Sequence, residues 1–161
     1  MIVITFVTDE TTRKFDVENL DGFDFSGDSL HTATFDGNSL KNAIFRKANL
    51  RSANLANCLL DGADFKDALL MNANFLSSSL MNVDMRNARL SGAYFSGSNI
   101  EGSNFSGADF FDANFDKTNL KGANLNGTRI ETASFTDAIY DKDTVWPVGF
   151  SPENKGARIV L

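Results

Sequence analysis

Every fifth residue of this chain, counted from Leu20, is large and apolar. The series runs Leu20, Phe25, Leu30, Phe35, Leu40, Phe45, Leu50, Leu55, Leu60, Phe65, Leu70, Phe75 and Leu80, then Met85, Leu90, Phe95, Ile100, Phe105, Phe110, Phe115, Leu120, Leu125, Ile130, Phe135 and Tyr140. In a chain that is 42% apolar, chance gives twenty-five such positions in a row with a probability on the order of 10⁻⁹. A second column lies two residues before each of these. Fourteen of its twenty-five members are Ala and seven more are Ser, Thr, Cys or Val; the exceptions, Glu18, Phe23, Asp28 and Asn38, are all near the start. Two residues after the large position Gly recurs, at 22, 27, 37, 62, 92, 97, 102, 107, 122 and 127.

Neither regular element explains a period of five. Around a helix, five residues advance the direction by about 500°, so the large residues would spiral over every side. Along a straight strand the side chains alternate with period two, so an odd spacing sends successive members to opposite faces. The small and large columns, two apart, do fit one face of a short extended segment. The remaining three residues must then turn the chain, with Gly where positive φ is needed. A corner every five residues makes a coil. Leu-type and Phe-type residues alternate in the large column, except at Leu55, Met85, Phe110 and Leu125. That repeat of ten fits a four-sided coil with like opposite walls, and also other even numbers of sides. Four sides give about six coils, a stack of roughly 30 Å at the usual interstrand spacing.

The units Ala48-Asn49-Leu50-Arg51-Ser52, Ala63-Asp64-Phe65-Lys66-Asp67, Ala113-Asn114-Phe115-Asp116-Lys117 and Ala123-Asn124-Leu125-Asn126-Gly127 resemble the A(D/N)LXX unit of the pentapeptide-repeat family. The resemblance covers residues 18–142 without an insertion. It implies an all-β fold, a right-handed quadrilateral β-helix. Residues 1–17 are expected to cap one end, with a hairpin of Ile2–Val7 and Arg13–Val17 around Thr8–Thr12. Residues 143–161 are expected to cap the other, with Trp146 and Phe150 as a lid and a tail like those of many bacterial relatives.

Charge and rare residues narrow the function. The net charge of −6 and pI of about 4.7 argue against direct nucleic-acid binding, which needs basic clusters. Cys58 and His31 are the only residues of their kinds. Cys58 falls in the inward small column and reads as a buried small side chain, and His31 reads as a surface residue. A metal site, a cofactor and a His-dependent triad are therefore not expected. Asp24, Asp64, Asp84 and Asp109 sit just before large residues, where carboxylates bond to turn amides. Arg46, Lys66 and Arg86 repeat every twenty residues beside Asp64 and Asp84, a mutually solvated charge ladder. The apolar opening lacks a basic start and a cleavage pattern, and no apolar run reaches membrane-span length. A cytoplasmic location is the expectation.

Most outward positions are polar. Ile44, Leu59, Leu69, Met71, Leu76, Met81, Tyr94 and Phe111 depart from that rule. Leu59, Leu69, Met71, Leu76 and Met81 crowd into little more than one coil, with Phe111 two coils beyond Met71. These six are the candidate partner-binding residues. The reading is a non-catalytic protein-binding or scaffold solenoid with a protein partner, or a homodimer. Its rival is a DNA mimic that binds type II topoisomerase, since the resemblance extends to relatives that protect gyrase from quinolones.

Overall fold

The computed structural model describes residues 1–6 and 12–161. The turn expected at Thr8–Thr12 lies largely outside the described residues. Strand β1 (Ile2–Phe6) pairs antiparallel with β2 (Thr12–Phe15) and with β3 (Ala33–Thr34). From Leu20 onward each pass of twenty residues lies beside the next, and parallel bridges join residues twenty apart in four rows. The first row runs Ser39, Leu59, Ser79, Asn99, Asn119, Ile139. The second runs Asp24, Ile44, Asp64, Asp84, Asn104, Asn124. The third runs Ser29, Asn49, Leu69, Arg89, Asp109 and the fourth Thr34, Asn54, Asn74, Tyr94, Asn114, Ser134. Near the C-terminus β4 (Ile139–Tyr140) pairs with β5 (Arg158–Ile159), again in parallel.

Backbone accounting explains why five residues suffice. Within a unit such as 48–52, Leu50 N–H and Ser52 N–H donate to Leu69 and Met71 carbonyls in the next pass, while Asn49 N–H donates back to Asp28. Ala53 N–H closes the corner on Leu50 C=O at 3.0 Å. Ser52, third in that corner, has φ 55°, as a type II turn requires. Only the Arg51 N–H is left, and the Asn49 side chain accepts from it at 3.3 Å. Among the described residues twelve other Asn or Asp side chains just before a large core residue do the same, Asp24, Asp64, Asp84 and Asp109 among them. The Asn/Asp of the repeat is thus a corner lock.

The large column is buried throughout, from Leu20 to Tyr140. In the second row Phe25, Phe45 and Phe65 stack at 4.9 and 4.7 Å, and in the fourth row Phe75, Phe95 and Phe115 stack at 4.8 and 4.7 Å. Those spacings match the distance between passes. Phe25 meets Phe35, and Phe65 meets Phe75, edge to face across the core. The offset-stacked and T-shaped contacts are the two arrangements aromatic quadrupoles favour.

Two features correct the sequence reading. Positive φ is a property of the corner and not of Gly, since Asn42, Lys47, Asp67, Lys117 and others adopt it in the same column. Gly127, which looked like one more corner glycine, does not adopt it. The uninterrupted count of fives also hides a slip in register. Asp109 pairs with Thr128, nineteen residues on, and Asn124 pairs with Val145, twenty-one on. Thr128 is therefore exposed and not in the inward column, and Arg129 is an extra residue in left-handed conformation before a 3₁₀ turn at Ile130–Thr132. The slip lies against Phe110, an aromatic ring in a row otherwise filled by Leu and Ile. A Cβ on Gly127 would lie 2.5 Å from Phe110 Cε2 and closer still to the Ala108 carbonyl oxygen, so the chain must pass there without a side chain. After the second slip Thr144 is buried in the inward column and Trp146 follows the large one, edge to face with Phe135 and Tyr140. Phe150 packs on Trp146 and Phe135.

Candidate interaction surface

The four rows decide what the outward residues can do together. Leu69 lies in the third row and Met71 at the corner that follows it, both half-buried; Leu76 is at the next corner and is 45% exposed. Leu59, 44% exposed, lies in the first row just past that corner, and Ala56 is beside Leu76 in the preceding pass. Tyr94, in the fourth row above Asn74, is 54% exposed. Leu69, Met71, Leu76 and Tyr94 share the third and fourth rows and their corners, and Leu59 lies beyond them on the first row.

Met81 and Phe111 are placed differently. Met81 is at the corner after the first row, where it lines a groove of about 230 Å³ with Glu101, Lys121 and Asp141. Phe111 is 39% exposed, but the Arg129 guanidinium lies over its ring, 4.6 Å from the centroid. Arg129 also holds Asp109 through Nε at 2.7 Å and a second bond from Nη2. Those hydrogen bonds hold the Asp109 carboxyl below its ordinary range, against the opposing effect of partial burial. Phe111 belongs to this Arg129–Asp109 cluster, which fastens the slipped register.

The acidic rows are committed in the same way. Arg46 Nε bonds Asp64 at 2.5 Å and Arg86 Nη2 bonds Asp84 at 2.6 Å. Asp84 is pushed up by burial and down by hydrogen bonds from the Arg86 side chain and amide, with the downward effects prevailing. Asp21 and Asp61 each take both the hydroxyl of the next pass's Ser, Ser39 or Ser79, and the amide two residues after it. Cys58 is buried with Sγ 3.1 Å from Phe35 C=O, and burial pushes its thiol up to about 12. At neutral pH it is an inert thiol.

Sequence reasoning missed Arg51 and Arg89. Both are exposed and flank Leu69 and Met71, Arg89 as the row neighbour of Leu69 and Arg51 one pass before Met71. The available signal was the residue eighteen positions on, which is Asp64 for the paired Arg46 and Leu69 for Arg51.

The rows and corner locks define a parallel β repeat protein whose repeat unit is five residues. The description "pentapeptide repeat region" matches residues 28–105, and "pentapeptide repeats (8 copies)" matches residues 88–127. The chain belongs to the pentapeptide-repeat family. A pentapeptide repeat protein of the Arabidopsis thaliana thylakoid lumen is 38% identical with a TM-score of 0.58, over 59% of this chain and 66% of that one. HetL from the cyanobacterium Nostoc sp. strain PCC 7120 is 22% identical over 86% of this chain and 71% of its own, with a TM-score of 0.36. QnrB1, a plasmid-mediated fluoroquinolone resistance protein, is 18% identical over 88% and 91%, with a TM-score of 0.32. No curated protein sequence matches the chain.

Proposed function

We propose that the chain is a non-catalytic protein-binding scaffold, a right-handed quadrilateral β-helix of about six coils whose third and fourth walls carry the contact. The observation that carries this reading is the break in outward polarity. The family repeat puts corner-locking or solvated groups outside, yet Leu69, Met71, Leu76 and Tyr94 occupy such positions on adjoining rows. Hydrogen-bonded corners hold that surface in place before any partner arrives, so docking forfeits little conformational entropy.

The test is a pull-down from the native lysate with the wild-type chain and with Met71→Asp combined with Leu76→Asp. Proteins retained by the wild type and lost by the variant support the reading. An unchanged set, at unchanged thermal stability, sinks it. A DNA mimic would need rows of free carboxylates, whereas Asp64, Asp84 and Asp109 are each bound to an arginine. The expected outcome of a gyrase supercoiling assay with and without a quinolone is accordingly no inhibition and no protection.

A further inference from the structure

We infer that the third and fourth rows form a docking surface for an acidic segment of another protein, one carrying large apolar side chains. The inference rests on the protein-binding reading above and names the chemistry of its partner. Residues 49–57, 69–77 and 89–97 lie side by side on these two rows and contain no Asp or Glu, in a chain with twenty-one. The other two rows of the same passes hold Asp61, Asp64, Asp67, Asp84 and Glu101. An acidic protein therefore has, over three passes of these two rows, a patch without acids, bounded by Asp36 in the pass before and by Asp109, Asp112 and Asp116 in the pass after.

The arginines mark the same side. Arg13, Arg46, Arg86, Arg129 and Arg158 are each ion-paired to an Asp. The two others, Arg51 and Arg89, have no ion-pair partner among the described residues. Asp109, the row neighbour of Arg89, is already taken by Arg129. Arg51 and Arg89 are two passes apart, about 10 Å along the stack, and offset by two residues along the pass, and the intervening pass presents Leu69 and Met71. Carboxylates at that spacing would pair with both guanidiniums while an apolar side chain between them covers Leu69 and Met71. Leu76 and Tyr94 continue the apolar surface on the fourth row. Arg, Tyr and Met are the residue types that interfaces concentrate. Arg51 and Arg89 alone are too few to hold a phosphate backbone at physiological salt.

The experiment selects a phage-displayed library of random linear peptides on the wild-type chain and measures the affinity of the enriched sequences by titration. The expected sequences carry Asp or Glu around Leu, Phe or Trp. Arg51→Glu with Arg89→Glu should weaken them by about tenfold or more, Leu76→Asp should weaken them too, and Lys41→Glu, at the corner after the first row, should not. Enrichment of neutral or basic peptides that need Leu76 but not the arginines overturns the acidic inference and leaves the protein-binding reading standing. Selection of no peptide sensitive to either set of changes overturns both. A concentration-dependent dimer in sedimentation that charge reversal dissolves would make the occupant a second copy, and overturns the inference of a separate partner. Circular dichroism melts of every variant confirm that the fold survives.

Discussion

A glycine in this chain means two different things. At Gly97 a Cβ would meet only Ser77 Oγ, at 3.6 Å, and its positive φ of 69° has a counterpart in Asn57 of the same column, at 55°. Gly97→Asn should therefore change stability by no more than about 0.5 kcal/mol. At Gly127 any side chain runs into the Ala108 carbonyl and the Phe110 ring. Gly127→Ala should cost about 1–3 kcal/mol, read as a lower urea midpoint with an unchanged slope. Cys58 supplies a pH signature. Its thiol titrates near 9.0 when unfolded and is pushed up to about 12 by burial, so above pH 9 the unfolded chain releases a proton that the folded chain keeps. That stabilisation is complete below pH 9 and is lost toward pH 12, at about 1.4 kcal/mol per pH unit. Cys58→Ala should flatten this part of the alkaline stability profile.

At the scale of one corner, the small column can carry a hydroxyl if the turn opens to receive it. Ser78 Oγ donates to Leu55 C=O at 2.7 Å and accepts from Cys58 N–H at 3.1 Å, standing inside the turn that other units close directly. Ser103 does the same between Leu80 and Val83. Ser78→Ala should leave both backbone groups short of a partner and cost about 1–3 kcal/mol, checked by urea unfolding. The same substitution at Ser98, whose corner already has the Ser98 N–H to Phe95 C=O bond, should cost less.

Across the whole molecule, stability and recognition reside in different atoms. The core columns and corner locks hold one pass to the next, while Arg51, Arg89, Leu76 and Tyr94 project outward without holding any pass. Arg51→Glu with Arg89→Glu should therefore shift the unfolding midpoint by a change worth no more than about 0.5 kcal/mol, while altering the charge of one side only. A solenoid built of nearest-neighbour contacts permits that separation, because a change in an outward side chain is not propagated through a shared core.

The division between sequence and tertiary structure follows from the range of the forces. The columns from Leu20 to Tyr140, the burial of Cys58 and the corner role of Asp24, Asp64, Asp84 and Asp109 were legible because each is a local rule applied in every unit. Exclusion of water from the large residue and capture of one orphan amide act within five residues. What the fold alone decided are the meetings between passes. Gly127 is indistinguishable in the repeat from Gly122 until Phe110 of the preceding pass occupies the space its side chain would need. Trp146, which broke the count of fives, continues the core column once one extra residue is accommodated. Arg46 and Arg51 follow the core residue in the same way within their units, but among the described residues Arg46 has an ion-pair partner and Arg51 has none. Burial and backbone pairing repeat with the period and so are written in it; pairings between particular side chains depend on distances that only stacking the passes creates.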